Sequence, residues 1–116
     1  MGTVNLLQII NDIDWKCSVL FVTSDKCYEN IEKSSGYKEA DKLGGKDIYS
    51  SSKAAAELFI SSYYRTFLKN KENLSLAVGR AGNVIGGGDW AKDRLVVDCM
   101  NAWNRKKAVK LSLIHI

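Results

Sequence analysis

The amino-acid sequence predicts an α/β fold built on an open parallel sheet. Two observations support this: segments with helical periodicity alternate with short apolar segments along the 116 residues, and one apolar run is continuous and rich in β-branched residues. Such alternation is typical of βαβ units with right-handed crossovers, and continuous apolar runs are typical of strands buried in parallel sheets. The length permits at most one domain, and it is short for an α/β domain with a complete cofactor site.

The first half of the chain contains a helix, a strand and a long loop. Apolar residues recur at helical spacing from Leu6, so Gly2–Asp12 is predicted to be an amphipathic helix with one buried face. The run SVLFVTS, residues 18–24, is predicted to be a strand covered on both faces. Residues 28–47 are polar, contain three glycines and follow neither period, which indicates a long loop of the kind that often carries function.

The second half repeats this alternation. A helix is predicted to begin around Asp47 and to end near Leu68, and residues 74–82, LSLAVGRAG, are predicted to form a second strand. A third helix is predicted from about Asp93, which would be its N-cap, and residues 108–113 are interpreted as the start of a further strand. The apolar face of the second helix is predicted to comprise Ala55, Leu58, Phe59, Ser62, Tyr63 and Phe67.

Composition and charge exclude several classes of function. The net charge of +4 arises partly from basic clusters at 69–71 and 105–107, where helices are predicted to end and cations complement the helix dipole. The sequence lacks the basic stripe with interleaved aromatic residues that is typical of nucleic-acid-binding proteins, so nucleic-acid binding is not expected. No apolar run reaches the roughly 18 residues of a membrane helix, and no secretory signal is recognisable, so a cytoplasmic location is expected. The three cysteines, without a CxxC pair, suggest neither a disulfide framework nor a metal site.

Tyr49 and Lys53 are the first candidate catalytic pair. Their i, i+4 spacing places both side chains on one face of the predicted helix. An ammonium beside a phenol favours the phenolate and lowers a phenol pKa that is ordinarily near 10, so the pair could act as an acid and base. The alternative is that this spacing occurs by chance in a polar helix.

The segment TSDKCY supplies a second set of candidates at the carboxyl end of the first predicted strand, where open α/β sheets place their ligands. Ser24 could bind a substrate hydroxyl, Asp25 could give or accept a proton, and Lys26 could serve as a cation or a base. The alternative is a turn with a solvated Asp and Lys pair.

The segment GRAGNVIGGGDW follows the second predicted strand. The glycines at 86–88 permit close approach of a ligand, Asn83 offers both a donor and an acceptor, and Arg80 and Arg94 could bind phosphate. A flexible surface turn is the alternative. Neither a GxGxxG fingerprint nor a GxxxxGK[ST] loop is present, so the half of a nucleotide-binding fold that anchors a dinucleotide is not expected in this chain.

These motifs together resemble the extended short-chain dehydrogenase/reductase superfamily, whose sites pair a Ser or Thr at a strand end with a Tyr-x-x-x-Lys helix. Within it, VTSDKCYEN, YSSSKAAAELF and AGNVIGGGDWAKDRL are similar to NAD-dependent nucleotide-sugar 4,6-dehydratases. The resemblance implies that residues 1–111 are the central, catalytic portion of an NAD(P)-binding Rossmann-like domain with a doubly wound parallel sheet, lacking its N-terminal glycine-rich half. It leaves residues 112–116 as a tail outside the family.

The resemblance also implies a role for each candidate residue. Tyr49, activated by Lys53 and assisted by Ser24, would take the proton of the sugar C4 hydroxyl while NAD accepts the hydride. Lys26 would remove the C5 proton and Asp25 would protonate the departing C6 hydroxyl, converting CDP-glucose to CDP-4-keto-6-deoxyglucose. The implied cofactor-binding residues are Tyr49, Lys53 and Ala81, and the implied residues for the nucleotide-sugar substrate are Asn83, Arg94 and Leu95.

Two alternatives remain open beside dehydration. One is a nucleotide-sugar epimerase or reductase of the same superfamily, against which Asp25 and Lys26 argue because C4 epimerisation expels no C6 hydroxyl. The other is a non-catalytic fragment or interaction module. We expect the isolated chain to be inactive and to expose sheet edges and apolar helix faces, and we expect a homo-oligomer for the parent protein. Ile48 stands where the family usually has a proline, a residue suited to the first helical turn.

Overall fold

A computed structural model describes residues 2–111, which form two compact units, residues 2–82 and residues 83–111. The first unit contains helix α1 (Gly2–Asp12), strand β1 (Cys17–Ser24), helix α2 (Ile48–Tyr63) and strand β2 (Leu74–Ala81). The second contains helix α3 (Leu95–Asn104). A short 3-10 turn over Asp25–Cys27 follows β1, and a π-helical turn over Tyr64–Leu68 continues α2. The tail predicted at 112–116 lies outside the described residues.

The two strands pair in parallel, as the sequence predicted. Cys17 is the partner of Leu74 and Ser24 is the partner of Ala81, so the strands start and end at the same level. The chain passes from β1 to β2 through the long loop and α2. This topology places the residues that follow both strands at a single edge of the sheet, which is where parallel sheets bind ligands.

The core lies between one face of the sheet and the helices. Its fully buried members are Leu7, Ile10, Ile60 and Leu68, against which Val19, Phe21, Leu74 and Leu76 pack. On the other face of β1, Leu20 and Val22 are each 65% exposed, so the prediction of a strand covered on both faces is wrong for this chain. Successive side chains of a strand point to opposite faces, and among the described residues α1 and α2 cover only one of them.

Helix α2 begins as predicted. Asp47 is its N-cap: the Asp47 carboxylate accepts hydrogen bonds from the Ser50 backbone N at 3.0 Å and from Ser50 Oγ at 2.5 Å. The side-chain hydrogen bond from Ser50 lowers the pKa of Asp47 below its ordinary value. With the π-helical turn included, helical structure continues to Leu68, where the sequence placed its end.

The apolar face predicted for α2 is wrong in most of its members. The buried residues of the helix are Ser50, Ala54, Glu57 and Ile60. Leu58 and Phe59, which the pattern placed inside, are each 56% exposed. Two of the four buried residues are polar, and their polar atoms are satisfied by hydrogen bonds within the fold, a pairing that hydrophobic periodicity does not detect.

The second unit departs from prediction at the start of α3 and in the segment that follows the helix. The N-cap is Arg94, with extended backbone angles, and Asp93 instead has a φ of 63° in the left-handed region. An N-cap residue needs extended angles, so Asp93 cannot hold that position. Residues 108–111 form no strand, and residues 112 and 113 of the predicted strand lie outside the described part of the chain. No helix within residues 2–111 is long and apolar enough to cross a membrane.

Candidate active site

Ser24, Asp25 and Lys26 form a compact turn at the carboxyl end of β1. Ser24 is buried, its Oγ donates to Asp25 Oδ1 at 3.2 Å, and the same Oγ accepts from the Lys26 backbone N at 3.2 Å. The serine thereby caps the 3-10 turn, because its side chain replaces a backbone partner. The hydroxyl, carboxylate and amine predicted from the sequence therefore lie on three consecutive residues with a fixed local geometry.

Tyr49 and Lys53 lie one turn apart on one face of α2. Lys53 Nζ is 5.5 Å from the centroid of the Tyr49 ring, within the range in which an ammonium interacts with an aromatic face. More than half of the Tyr49 surface is exposed. The helix thus presents the phenol and its neighbouring ammonium to solvent, where a ligand could reach both.

A cleft of about 540 Å³ joins the strand end to the start of α2. Its lining consists of Asp25, Lys26, Tyr28, Asn30, Tyr37, Gly45, Lys46, Asp47 and Ser50. Asp25 and Lys26 therefore share a cavity with the first turn of the helix that carries Tyr49 and Lys53. Ser24, Tyr49 and Lys53 are not among the lining residues, so the phenol stands beside this cleft, not inside it.

Ala81 occupies the corresponding position on the neighbouring strand. It is the last residue of β2 and the register partner of Ser24. A methyl group built on the next residue, Gly82, would stand 3.6 Å from Asp25 Oδ2, which places the end of β2 directly beside the Asp25 carboxylate. The three predicted groups Ser24, Asp25 and Ala81 accordingly meet at one sheet edge.

The predicted substrate residues Asn83, Arg94 and Leu95 line one small cavity of about 140 Å³ within the second unit. Arg94 Nε lies 3.7 Å from Asp89 Oδ2, and both side chains are largely accessible to solvent. An exposed ion pair of this kind is weak, so the Arg94 guanidinium can exchange its partner for a ligand anion.

Arg80 does not serve as the phosphate ligand that the sequence suggested. Its Nε donates to both carboxylate oxygens of Glu57, at 3.0 and 2.8 Å, and its Nη2 donates to Glu57 Oε2 at 2.6 Å. Its Nη1 donates to the Glu39 carbonyl at 3.0 Å, and the guanidinium lies 4.7 Å from the centroid of the Tyr28 ring. These contacts commit the guanidinium to the interior of the first unit.

Glu57 is the residue that sequence analysis missed, although a charged residue within AAAELF was a visible signal. Burial tends to raise the pKa of Glu57, but hydrogen bonds from Arg80, Thr23 and Cys27 outweigh burial and hold the pKa below its usual value. The same contact with Glu57 raises the pKa of Arg80. Burial, reinforced by the Glu57 carboxylate, raises the pKa of the Cys27 thiol to about 11.

Within residues 2–111, no group of three or more His, Cys, Asp or Glu side chains is arranged to hold a metal ion. Ser24, Asp25, Lys26, Tyr49 and Lys53 carry the hydroxyl, carboxyl, amine and phenol groups that acid, base and hydrogen-bonding chemistry needs.

Comparison with curated proteins supports the resemblance drawn from the motifs. The chain is 44% identical over 113 residues to CDP-glucose 4,6-dehydratase of Salmonella typhimurium, an alignment that covers 94% of this chain and 32% of that protein. It is 27% identical over 105 residues to CDP-paratose 2-epimerase of Salmonella typhi, covering 78% of this chain and 30% of that protein. The chain thus spans about a third of the length of these relatives. No protein-family model matches it.

Among solved structures, the fold is similar to that of UDP-N-acetylglucosamine 4-epimerase from Methanobrevibacter ruminantium M1 in complex with UDP-N-acetylmuramic acid. The TM-score is 0.67 at 19% identity, and the match covers 92% of this chain and 33% of that chain. This likeness confirms the predicted fold class: an α/β fold with a parallel sheet, corresponding to part of a Rossmann-like domain.

Proposed function

We propose that this chain is the catalytic middle portion of a nucleotide-sugar 4,6-dehydratase that converts CDP-glucose to CDP-4-keto-6-deoxyglucose. The observation that carries the proposal is the 44% identity to CDP-glucose 4,6-dehydratase over 94% of the chain. The placement of Ser24, Asp25 and Lys26 at the carboxyl edge of the sheet, next to the start of the helix that bears Tyr49 and Lys53, supports it.

Oxidation at the sugar C4 is the first task of these residues. Tyr49 takes the proton of the C4 hydroxyl, Lys53 stabilises the phenolate by its charge, and Ser24 donates a hydrogen bond to the C4 oxygen. Tyr49 is exposed and Lys53 Nζ lies 5.5 Å from the centroid of its ring, which supports these two roles. A positioned acid or base of this kind is typically worth about two to four powers of ten in rate.

Elimination of water is the second task. The C4 ketone acidifies C5, and Lys26 removes the C5 proton. Asp25 protonates the C6 hydroxyl, which leaves as water, and Lys26 then returns a proton to C5. Asp25 and Lys26 line the same cleft, so one sugar ring can meet both. An acid placed to expel the C6 oxygen is what distinguishes dehydration from simple epimerisation at C4.

NAD is the cofactor of this proposal, and the residues present fit its nicotinamide end. Tyr49 and Lys53 would bind the nicotinamide ribose, and the small side chain of Ala81, at the end of β2 and level with Ser24, leaves space for a flat ring at the sheet edge. NAD, when bound, would accept hydride from C4 and return it to C6. The sequence contains no glycine-rich fingerprint to hold the pyrophosphate, so we expect no detectable NAD binding by the isolated chain.

The second unit supplies further candidate substrate residues. Asn83, Arg94 and Leu95 line one cavity and would hold the nucleotide part of the substrate, with Arg94 on its phosphates. A cytoplasmic location and assembly of the parent protein into homo-oligomers also belong to the proposal.

A nucleotide-sugar epimerase is the second candidate, because CDP-paratose 2-epimerase is also similar to this chain. The two reactions differ in their product: an epimerase retains the C6 oxygen, and a dehydratase loses it. A non-catalytic role for the chain on its own is compatible with either reading, since the chain spans only about a third of these relatives.

A chimera tests the proposal. This chain replaces the aligned segment of the Salmonella typhimurium CDP-glucose 4,6-dehydratase, and products formed from CDP-glucose are identified by mass spectrometry. We expect the 4-keto-6-deoxy product, its near-complete loss on Tyr49→Phe, and retention of activity in the control Tyr64→Phe. Asp25→Asn should incorporate solvent deuterium at C5 without losing water. A folded chimera in which Tyr49→Phe is as active as Tyr64→Phe would overturn the assignment of Tyr49.

A further inference from the structure

One buried carboxylate joins the two halves of the candidate catalytic set. Glu57 lies on α2, two turns beyond Tyr49 and one turn beyond Lys53, and its surface is only 5% exposed. Thr23 Oγ1 donates to Glu57 Oε1 at 2.5 Å, and the Glu57 carboxylate also interacts with the buried Cys27 thiol, whose pKa it helps to raise. A side chain of the helix is thus hydrogen-bonded directly to the end of β1, one residue before Ser24.

The positions of those two partners are informative. Thr23 immediately precedes Ser24, and Cys27 immediately follows Lys26. The Glu57 carboxylate is therefore hydrogen-bonded to the residue before the three-residue segment that carries the hydroxyl, the carboxylate and the amine, and it interacts electrostatically with the residue after it. We propose that Glu57 is a positioning residue, which sets the Tyr49 and Lys53 helix against Ser24, Asp25 and Lys26. The inference rests on the proposed function, because it assumes that these five side chains act on one sugar.

Arg80 extends the same arrangement to the wall of the cleft. Its guanidinium, bonded to Glu57, lies over the Tyr28 ring, which stacks on Tyr37 with 5.2 Å between ring centroids. Lys33 Nζ lies 4.5 Å from the centroid of the Tyr37 ring, the second member of this stacked pair. Tyr28 and Tyr37 both line the cleft that contains Asp25 and Lys26. Glu57 therefore governs the placement of the cleft wall as well as the catalytic turn.

Stability alone is a poor explanation for a charged pair in this position. Burying Glu57 and Arg80 costs desolvation energy that their attraction offsets only with good geometry, and apolar side chains of similar volume are often at least as stable. The pair instead fixes the relative positions of three elements, because its hydrogen bonds are satisfied only when α2, the end of β1 and β2 lie in one arrangement.

The first test uses the full 116-residue chain and needs no activity. Amide resonances are compared by NMR among the unsubstituted chain, Glu57→Gln and the matched control Glu29→Gln, which removes an exposed ion pair with Lys42. We expect Glu57→Gln to shift the resonances of Ser24, Asp25 and Lys26, and the control to leave them in place. If Glu57→Gln fails to fold, Thr23→Val, which deletes one hydrogen bond while keeping the ion pair, should shift the same three resonances.

The second test uses the chimera, assayed well below the unfolding midpoint of every variant so that all molecules are folded. Displacing a catalytic group by about 1 Å can cost about 100-fold in rate. We therefore expect Glu57→Gln to lower kcat at least tenfold with KM for CDP-glucose changed less than twofold, and Glu29→Gln to stay within twofold in both.

The outcomes separate this inference from the proposed function. An inactive but folded unsubstituted chimera would count against the proposed function, and the NMR comparison would still decide the positioning role. Unshifted resonances of Asp25 and Lys26 in Glu57→Gln, or a kcat equal to that of Glu29→Gln, would overturn the inference. A drop in thermal stability without those two effects would also overturn it, because it would show a purely structural role.

Discussion

Replacing Gly45 by alanine should disrupt the junction between the long loop and α2. A Cβ at this position would lie 2.3 Å from the Ser51 backbone N and 2.5 Å from the Ser50 carbonyl carbon, whereas ordinary contacts begin near 3.4 Å. Because the obstructing atoms are backbone, either the loop or the first turn of the helix has to move by about 1 Å in a closely packed region. The loss of stability should be about 1–3 kcal/mol, as for other overpacked sites.

The assay for this prediction is thermal unfolding followed by circular dichroism. In a chain of this size the destabilisation corresponds to a fall in Tm of roughly 4–8 °C for each kcal/mol. Gly36→Ala is the matched control, since a Cβ there has no atom within 4 Å. Equal midpoints for Gly45→Ala and Gly36→Ala would refute the close approach of the loop to α2, and with it the shape of the cleft that Gly45 lines.

Three further predictions concern stability. Ile60→Ala, in the core, should lower the free energy of unfolding by about 2–5 kcal/mol and the exposed Leu58→Ala by less than about 0.5 kcal/mol, as urea titration would show; the reverse order would contradict the buried face of α2. The pKa of Cys27 is raised to about 11, so the contribution of the thiol to stability is complete below pH 9.0, its ordinary pKa, and is lost as the pH rises toward 11. The Tm of Cys27→Ala should therefore depend less on pH between 9 and 11 than the Tm of the unsubstituted chain. Parallel curves of Tm against pH would refute this prediction. Since the pKa of Asp47 is lowered by Ser50, its contribution is present above the ordinary value of 3.8 and is lost as pH falls through its lower folded value; Asp47→Asn should lack this acid transition in Tm, and an unchanged transition would contradict the N-cap assignment.

Periodicity and local chemistry predicted the order of the elements well. The helix Gly2–Asp12, the two parallel strands and the start of α2 at Asp47 follow from apolar spacing and from the preference of Asp for N-caps. These signals depend only on residues that are close in sequence, so they can be recognised without knowledge of the tertiary contacts. The strand-end position of Ser24, Asp25 and Lys26 follows from the same reasoning, because it needs only the end of β1.

Tertiary pairing was less predictable. Glu57 is buried because Arg80, 23 residues further along the chain, and Thr23, 34 residues before it, satisfy its carboxylate, and no local pattern encodes such partners. Because Glu57 is buried, the buried face of α2 differs from the predicted one and Leu58 is exposed. Because Arg80 is bonded to Glu57, it is not available as the phosphate ligand that the sequence suggested. The catalytic roles came from resemblance to a known superfamily, since spacing alone left a chance occurrence of the tyrosine and lysine open.

The fate of the C6 oxygen tests the central claim most directly. CDP-glucose labelled with ¹⁸O at C6 is incubated with the chimera carrying this chain, and the label is followed by mass spectrometry in the nucleotide-sugar and in water. A 4,6-dehydratase must release the label into water and leave a methyl group at C6. A turned-over sugar that keeps its ¹⁸O would contradict dehydration and assign this chain to the epimerases.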